Sequence, residues 1–217
     1  MPPFTPDQFF GVFADYNAAV WPASLIAYGL AFLAIGSMLL GWKFSPRIVS
    51  GVLAAMWLWT GLAYHYGFFF RISAAAPFFA ALFVLGAVII AWQGIWREHI
   101  APIAWLGWRS GMGWTLIAYA SIGYPLIGLA SGHDYAGLPQ FGIAPCPVTL
   151  FTFGIFLLTP KLQWSVLVAP VIWSLIGGSA AFLLRVPQDW PLLFSGVLTL
   201  LIFVLTREAG GGPARER

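Results

Sequence analysis

Charge is what this sequence has least of. Lys, Arg, Asp and Glu together make up 8% of its 217 residues, while 60% are hydrophobic; an ordinary soluble domain carries about 25% charged residues. A chain of this length cannot bury so much apolar surface in one aqueous core, because small domains leave too large a share of their surface wet. The bilayer is the solvent that suits it. Cysteine is nearly absent too: Cys146 stands alone, which excludes an internal disulfide and a CxxC-type metal site. The basic residues sit singly between apolar runs and form no stripe, so the net charge of +3 is no nucleic-acid footprint. No nucleotide-binding loop, HExxH or GxSxG pattern occurs. The apolar runs contain no lysine to form a retinal Schiff base, and His99 and His65 fall at opposite ends, which does not suit a paired-histidine haem.

What the chain does have is long apolar runs. A helix needs roughly 20 apolar residues to cross the hydrocarbon. The runs predict an all-α fold of seven transmembrane helices at Trp21–Trp42, Val49–Phe70, Ala74–Trp96, Gly111–Leu129, Pro147–Thr159, Trp164–Leu184 and Trp190–Leu205. The fifth and seventh are short. With the N-terminus outside and the C-terminus inside, Lys43, Arg47, Arg97, Arg109, Lys161, Arg207, Arg215 and Arg217 face inward and only Arg71 and Arg185 face outward, as the positive-inside bias requires. Met1-Pro2-Pro3-Phe4 lacks the basic start of a signal peptide, so no cleavage is expected. Trp105 and Trp108 place Arg97–Ser110 on the inner interface, and the Gly-rich, charged stretch 209–217 reads as a disordered cytoplasmic tail. Residues 1–208 read as one membrane domain.

The two halves align. Pro22-Ala-Ser-Leu-Ile-Ala-Tyr-Gly29 runs parallel to Pro147-Val-Thr-Leu-Phe-Thr-Phe-Gly154, and Val52, Leu53, Ala55 and Trp59 match Val166, Leu167, Ala169 and Trp173. The same register sets Arg71 on Arg185 and Pro77 on Pro191. This predicts a duplication of 18–96 and 143–206 about an axis along the membrane normal, with the helix at 111–129 as connector, a 3+1+3 plan known among transporters.

Two stretches carry a resemblance: Phe9-Phe10-Gly-Val-Phe-Ala-Asp-Tyr-Asn17 with Val20-Trp21-Pro22, and Pro145-Cys146-Pro147-Val-Thr149-Leu-Phe-Thr-Phe-Gly154. With Tyr64-His65 and Gly132-His133, they resemble an uncharacterised family of bacterial multi-pass membrane proteins, a domain of unknown function. The resemblance implies a seven-helix protein of the bacterial inner membrane and brings no activity with it. In architecture the chain is also similar to SWEET-type sugar carriers: Pro22 and Pro147 stand where their repeat prolines do, and Trp59 and Trp173 where they set tryptophans beside the sugar. It departs from them in having no Pro-Gln pair within a helix and no asparagine in the third and seventh spans, and fold-level likeness does not fix function.

The polar residues near the apolar runs gather toward the outer end, as an interfacial belt or as a vestibule. The vestibule reading places Asn17, Trp59, Tyr64, His65, Tyr124 and Trp173 around a substrate. It puts Asp15, Arg71, Asp134, Arg185, Pro145 and Pro147 at the mouth. His65 is the one ionisable side chain within a span, and it is equally readable as packing among Tyr64 and Tyr66. His65, His133 and Cys146 are ligand types suited to zinc or copper, though their spacing shows no convergence; no other cofactor is expected. Pro145-Cys146-Pro147 starts its helix abruptly, since proline disfavours helix before it, and freed backbone at that depth needs a protein or water cover. The leading expectation is a carrier or facilitator for a small uncharged or weakly polar solute entering from the outer side. The alternatives are a non-enzymatic accessory subunit of a larger membrane complex and a metal-binding membrane protein. Lipid is the expected surrounding, with self-association or a larger complex as further partners and no enzymatic set in view.

Overall fold

The computed structural model describes residues 4–105, 107–184 and 186–210, with side chains described as far as residue 205. Every regular element among them is helical. The first, α1 (Pro6–Ala19), begins with a capping box: the Thr5 hydroxyl accepts from the Gln8 backbone N–H, and the Gln8 side chain accepts from the Thr5 N–H. Pro6 at the first helical position costs no hydrogen bond there. A cis Trp21–Pro22 bond follows, and α2 (Ala23–Leu39) leaves at 79° to α1.

Next, α3 (Ser45–Trp59) continues through a π-helical stretch, Thr60–Phe68, and a tight turn to Arg71. The Ala76–Ala91 helix, α4, also ends in a π-helical turn, Trp92–Trp96. Another π-helical turn, Tyr119–Gly123, joins α5 (Trp108–Ala118) to α6 (Tyr124–Ala130). Pro125 accounts for that last irregularity, because it has no N–H to offer the Ser121 carbonyl four residues back. The Ser121 carbonyl accepts from the Tyr28 hydroxyl instead, at 2.6 Å. The chain closes with α7 (Pro145–Leu157), α8 (Trp164–Leu184) and α9 (Trp190–Gly210).

Five stretches are long and apolar enough to cross a membrane: Ser45–Arg71, Ala76–Trp96, Trp108–Ala130, Trp164–Leu184 and Pro187–Leu205. The bent pair α1–α2 makes six if it counts as one span. Seven spans were expected. The difference lies in the first and fifth. Alone, α2 has 17 residues and α7 has 13, about 26 and 20 Å of helix against a hydrocarbon core of about 30 Å.

Each short helix has a distinct setting. Every residue from 138 to 159 is buried, so α7 and the irregular loop before it form the centre of the bundle, with α3, α5, α8 and α9 packed around α7. A helix apolar on all sides belongs in such a place. It fits because glycines let backbones meet: a Cβ on Gly113 of α5 would lie 2.8 Å from the Gly154 carbonyl of α7, and the reverse holds for a Cβ on Gly154. Close packing through small residues is how membrane helices associate when lipid offers no hydrophobic drive.

The buried loop has its polar backbone covered, as the absence of water demands. The Tyr16 hydroxyl donates to the Ile143 carbonyl at 2.9 Å. The Asn17 amide donates to the Ala136 and Leu138 carbonyls at 2.7 and 2.9 Å. The first of the two resemblance stretches therefore holds the loop that leads into the second: α1 clasps the entry to α7.

At the opposite end, the segment expected on the inner interface is irregular over its described residues up to Gly107, after which α5 begins; its Glu98 pairs with Arg47 of α3 at 2.7 Å and Trp105 is exposed. Residues 209 and 210 still belong to α9, and the remainder of the expected tail, 211–217, lies outside the described residues.

Candidate functional site

A cavity of about 280 Å³ lies between α1, the π-helical end of α3, the start of α7 and the second half of α8. Its walls are mostly rings: Phe9 and Phe13 from α1, Tyr64 and Phe69 beyond α3, Phe79 from α4 and Trp173 from α8. Ala75, Ser179 and Leu183 line it and are exposed, which marks its open side. Its polar edge is built by His65, Cys146, Trp173 and Asp189.

The π-helical stretch sets His65 inward. Such widened turns recur at functional sites because they shift side-chain direction without breaking the helix. His65 is fully buried, with ring centroids 5.0 Å from Trp173 and 4.8 Å from Phe83. Neither of its nitrogens has a hydrogen-bond partner among the described residues. Trp173 is 5% exposed. Its indole N–H faces the Cys146 thiol, but no acceptor meets it with hydrogen-bond geometry. Buried polar atoms are almost always satisfied, so two such side chains beside one cavity form the strongest local signal in the fold.

Asp189, in the turn before α9, is 2% exposed. Its carboxylate accepts from the Tyr124 hydroxyl, and the Cys146 thiol lies within reach. No ion pair to it exists among the described residues. An acid just before Trp190-Pro191 looks like a helix N-cap in sequence, and nothing local signals that the turn is covered. Its neighbour Gln188 is also buried; the Gln188 carbonyl accepts from Tyr119 at 2.8 Å, whereas both side-chain amide atoms lack partners among the described residues.

The structure brings Tyr64, His65, Pro145, Cys146 and Trp173 to the one cavity, with Tyr124 joined to it through Asp189. It does not bring Trp59 there. Trp59 is 41% exposed, donates to the Tyr16 hydroxyl at 2.8 Å and lines a separate hollow beside α2. Asn17 is spent on the loop carbonyls. Asp15 and Arg71 form a loose, exposed pair at 4.0 Å, and Asp134 is exposed in the loop after α6. Pro147 is buried in the first turn of α7. Arg185, and with it the match of Arg71 to Arg185, lies outside the described residues. His133 packs on Phe10 with centroids 4.1 Å apart and the rings tilted by 34°, away from the cavity lining. Among the described residues, no group of three or more His, Cys, Asp or Glu could hold a metal ion, so His65, His133 and Cys146 do not assemble as a ligand set.

Long apolar helices, a wholly buried central helix and an internal cavity with unpaired polar groups define a helical membrane-type protein with a small-molecule-sized site. The chain belongs to the family of unknown function DUF6064, whose model matches residues 6–211. No curated protein and no solved structure matches it, so the architectural likeness to SWEET carriers gains no support from known structures.

Proposed function

We propose that this protein is a carrier or facilitator for a small, uncharged or weakly polar solute, and that the His65 cavity is its binding site. One observation carries the reading: a fully buried histidine with no hydrogen-bond partner among the described residues lines a cavity of about 280 Å³. A buried polar group without a partner is costly, and a bound molecule relieves that cost. Beyond His65 the packing is aromatic. Phe83, which touches His65, stacks on Trp57 at 4.4 Å, and Trp57 donates to the Thr152 hydroxyl of α7 at 2.9 Å. In a carrier these groups form the inner gate of an outward-open state.

The setting is the bacterial inner membrane with the N-terminus outside, on the distribution of Lys and Arg. The bent α1–α2 pair supplies the first of seven crossings, and α7 together with the buried loop 138–144 supplies the fifth.

Solute permeation into proteoliposomes, read by stopped-flow light scattering with a panel of neutral polyols, amides and dihydroxybenzenes, tests the reading. At least one class should permeate about tenfold faster than through empty liposomes, and His65→Phe should abolish the gain. Equal permeation for the whole panel with and without protein would remove the carrier reading.

A further inference from the structure

Resting on the reading of the cavity as the binding site, we infer that it is built for a neutral, ring-bearing molecule of about two fused rings, carrying a hydroxyl group at its deep end. Size comes first. A cavity of about 150 Å³ accepts one benzene, and this one measures about 280 Å³. The walls then select shape. Aromatic rings meet best edge-to-face or offset, and Phe69, Phe79 and Trp173 already sit that way around His65, with Phe79 and Trp173 at 5.4 Å and 74°. A flat ring extends that arrangement, whereas a flexible chain gains only area.

The polar end selects the head group by elimination. A neutral imidazole offers one N–H donor and one acceptor nitrogen, and an indole offers only a donor. The His65 and Trp173 ring centroids are 5.0 Å apart and both residues line the cavity, so both border the same end of a bound molecule. A hydroxyl accepts from an N–H and donates to the remaining imidazole nitrogen. A carboxylate only accepts, and it would bring a second acid group beside Asp189, which lines the same cavity. An ammonium only donates and leaves the Trp173 N–H unpaired. A bare hydrocarbon pairs nothing.

The exposed Leu183 of α8 lies on the cavity's open side, a flank of a membrane-length helix, so a molecule of this kind can enter from the hydrocarbon as well as from water.

The test is binding of 2-naphthol to the purified full chain in detergent micelles, by calorimetry corrected for partition into empty micelles. Naphthalene, 2-naphthoate and octan-1-ol serve as comparators. One site for 2-naphthol is expected, with each comparator at least about tenfold weaker, which is the weight of one hydrogen bond or one mismatched group. His65→Phe should weaken 2-naphthol about tenfold and leave naphthalene unchanged. Trp173→Phe should weaken 2-naphthol as well, and it serves in its place if His65→Phe does not fold. Naphthalene or octan-1-ol binding as tightly as 2-naphthol, or both variants binding 2-naphthol as the native chain does, would overturn the inference. Naphthol binding without facilitated permeation removes the carrier reading and leaves this one standing. Facilitated permeation of an aliphatic solute with no naphthol binding does the reverse.

Discussion

Replacing His65 by phenylalanine should make the empty protein more stable, contrary to the usual effect of changing a fully buried residue. His65 touches Tyr64, Phe69, Phe79, Phe83 and Trp173, all aromatic, so a phenyl ring meets partners of its own kind. Both imidazole nitrogens lack partners among the described residues, and a buried donor or acceptor left unpaired costs about 1–3 kcal/mol. Removing that cost should stabilise the fold by about 1–3 kcal/mol, or roughly 2–4 °C in Tm per kcal/mol for a chain of this size. Thermal unfolding in micelles, followed by far-UV circular dichroism without ligand, measures the shift. A saturating ligand should narrow the gap, because at a hundredfold excess over the native Kd it stabilises the native chain by about 2.7 kcal/mol and a variant that binds tenfold weaker by about 1.4 kcal/mol. If His65→Phe lowers stability by more than about 1 kcal/mol, the imidazole is satisfied within the protein and the argument for an unfilled site fails.

Tyr16→Phe leaves the buried Ile143 carbonyl unpaired and deprives Trp59 of its acceptor, so a loss of about 1–3 kcal/mol is expected in the same unfolding assay; an unchanged Tm would mean that α1 does not hold the loop before α7. Gly154→Ala drives a Cβ to 2.8 Å from the Gly113 carbonyl, whereas at Gly29 a Cβ meets nothing within 4 Å. The first should cost about 1–3 kcal/mol by overpacking and the second should be neutral or better; equal effects would refute the close crossing of α5 and α7. On a Cys146→Ser background, Asp134→Cys should react with an impermeant thiol reagent in intact cells and Lys161→Cys should not. Both positions are exposed, so the opposite pattern reverses the orientation.

The helical membrane class was legible because poverty of charge is a property of the whole chain and needs no contact to be known. The abrupt start of α7 was legible, at Pro147 against the observed Pro145, because proline acts locally. The helix α1 was missed although Thr5 and Gln8 spell a capping box, since attention to 20-residue apolar runs passes over a 14-residue helix with a polar face. The site was half legible. His65 and Cys146 stood out by chemical type, and the fold sets both on one cavity. Asp189 did not stand out, because its burial is conferred by α6 and the Tyr124 hydroxyl, 65 residues away. Trp59 and Trp173 occupy matching places in the aligned halves, yet one is 41% exposed and the other 5%. Alignment gives a residue its place along a helix, whereas neighbours decide which way it looks.

The enclosure of residues 138–159 has a consequence for how the molecule is made. A segment that touches no lipid in the finished fold cannot be stabilised by lipid while the chain is being threaded into the membrane. The irregular carbonyls of Leu138 and Ile143 find their donors on α1, synthesised more than a hundred residues earlier, and the far wall of α7 is α8 and α9, synthesised later. Biogenesis must therefore hold this stretch in wait between an early clasp and late walls. Truncation before α8 should leave an unfinished chain prone to quality-control proteolysis, however complete its first helices are.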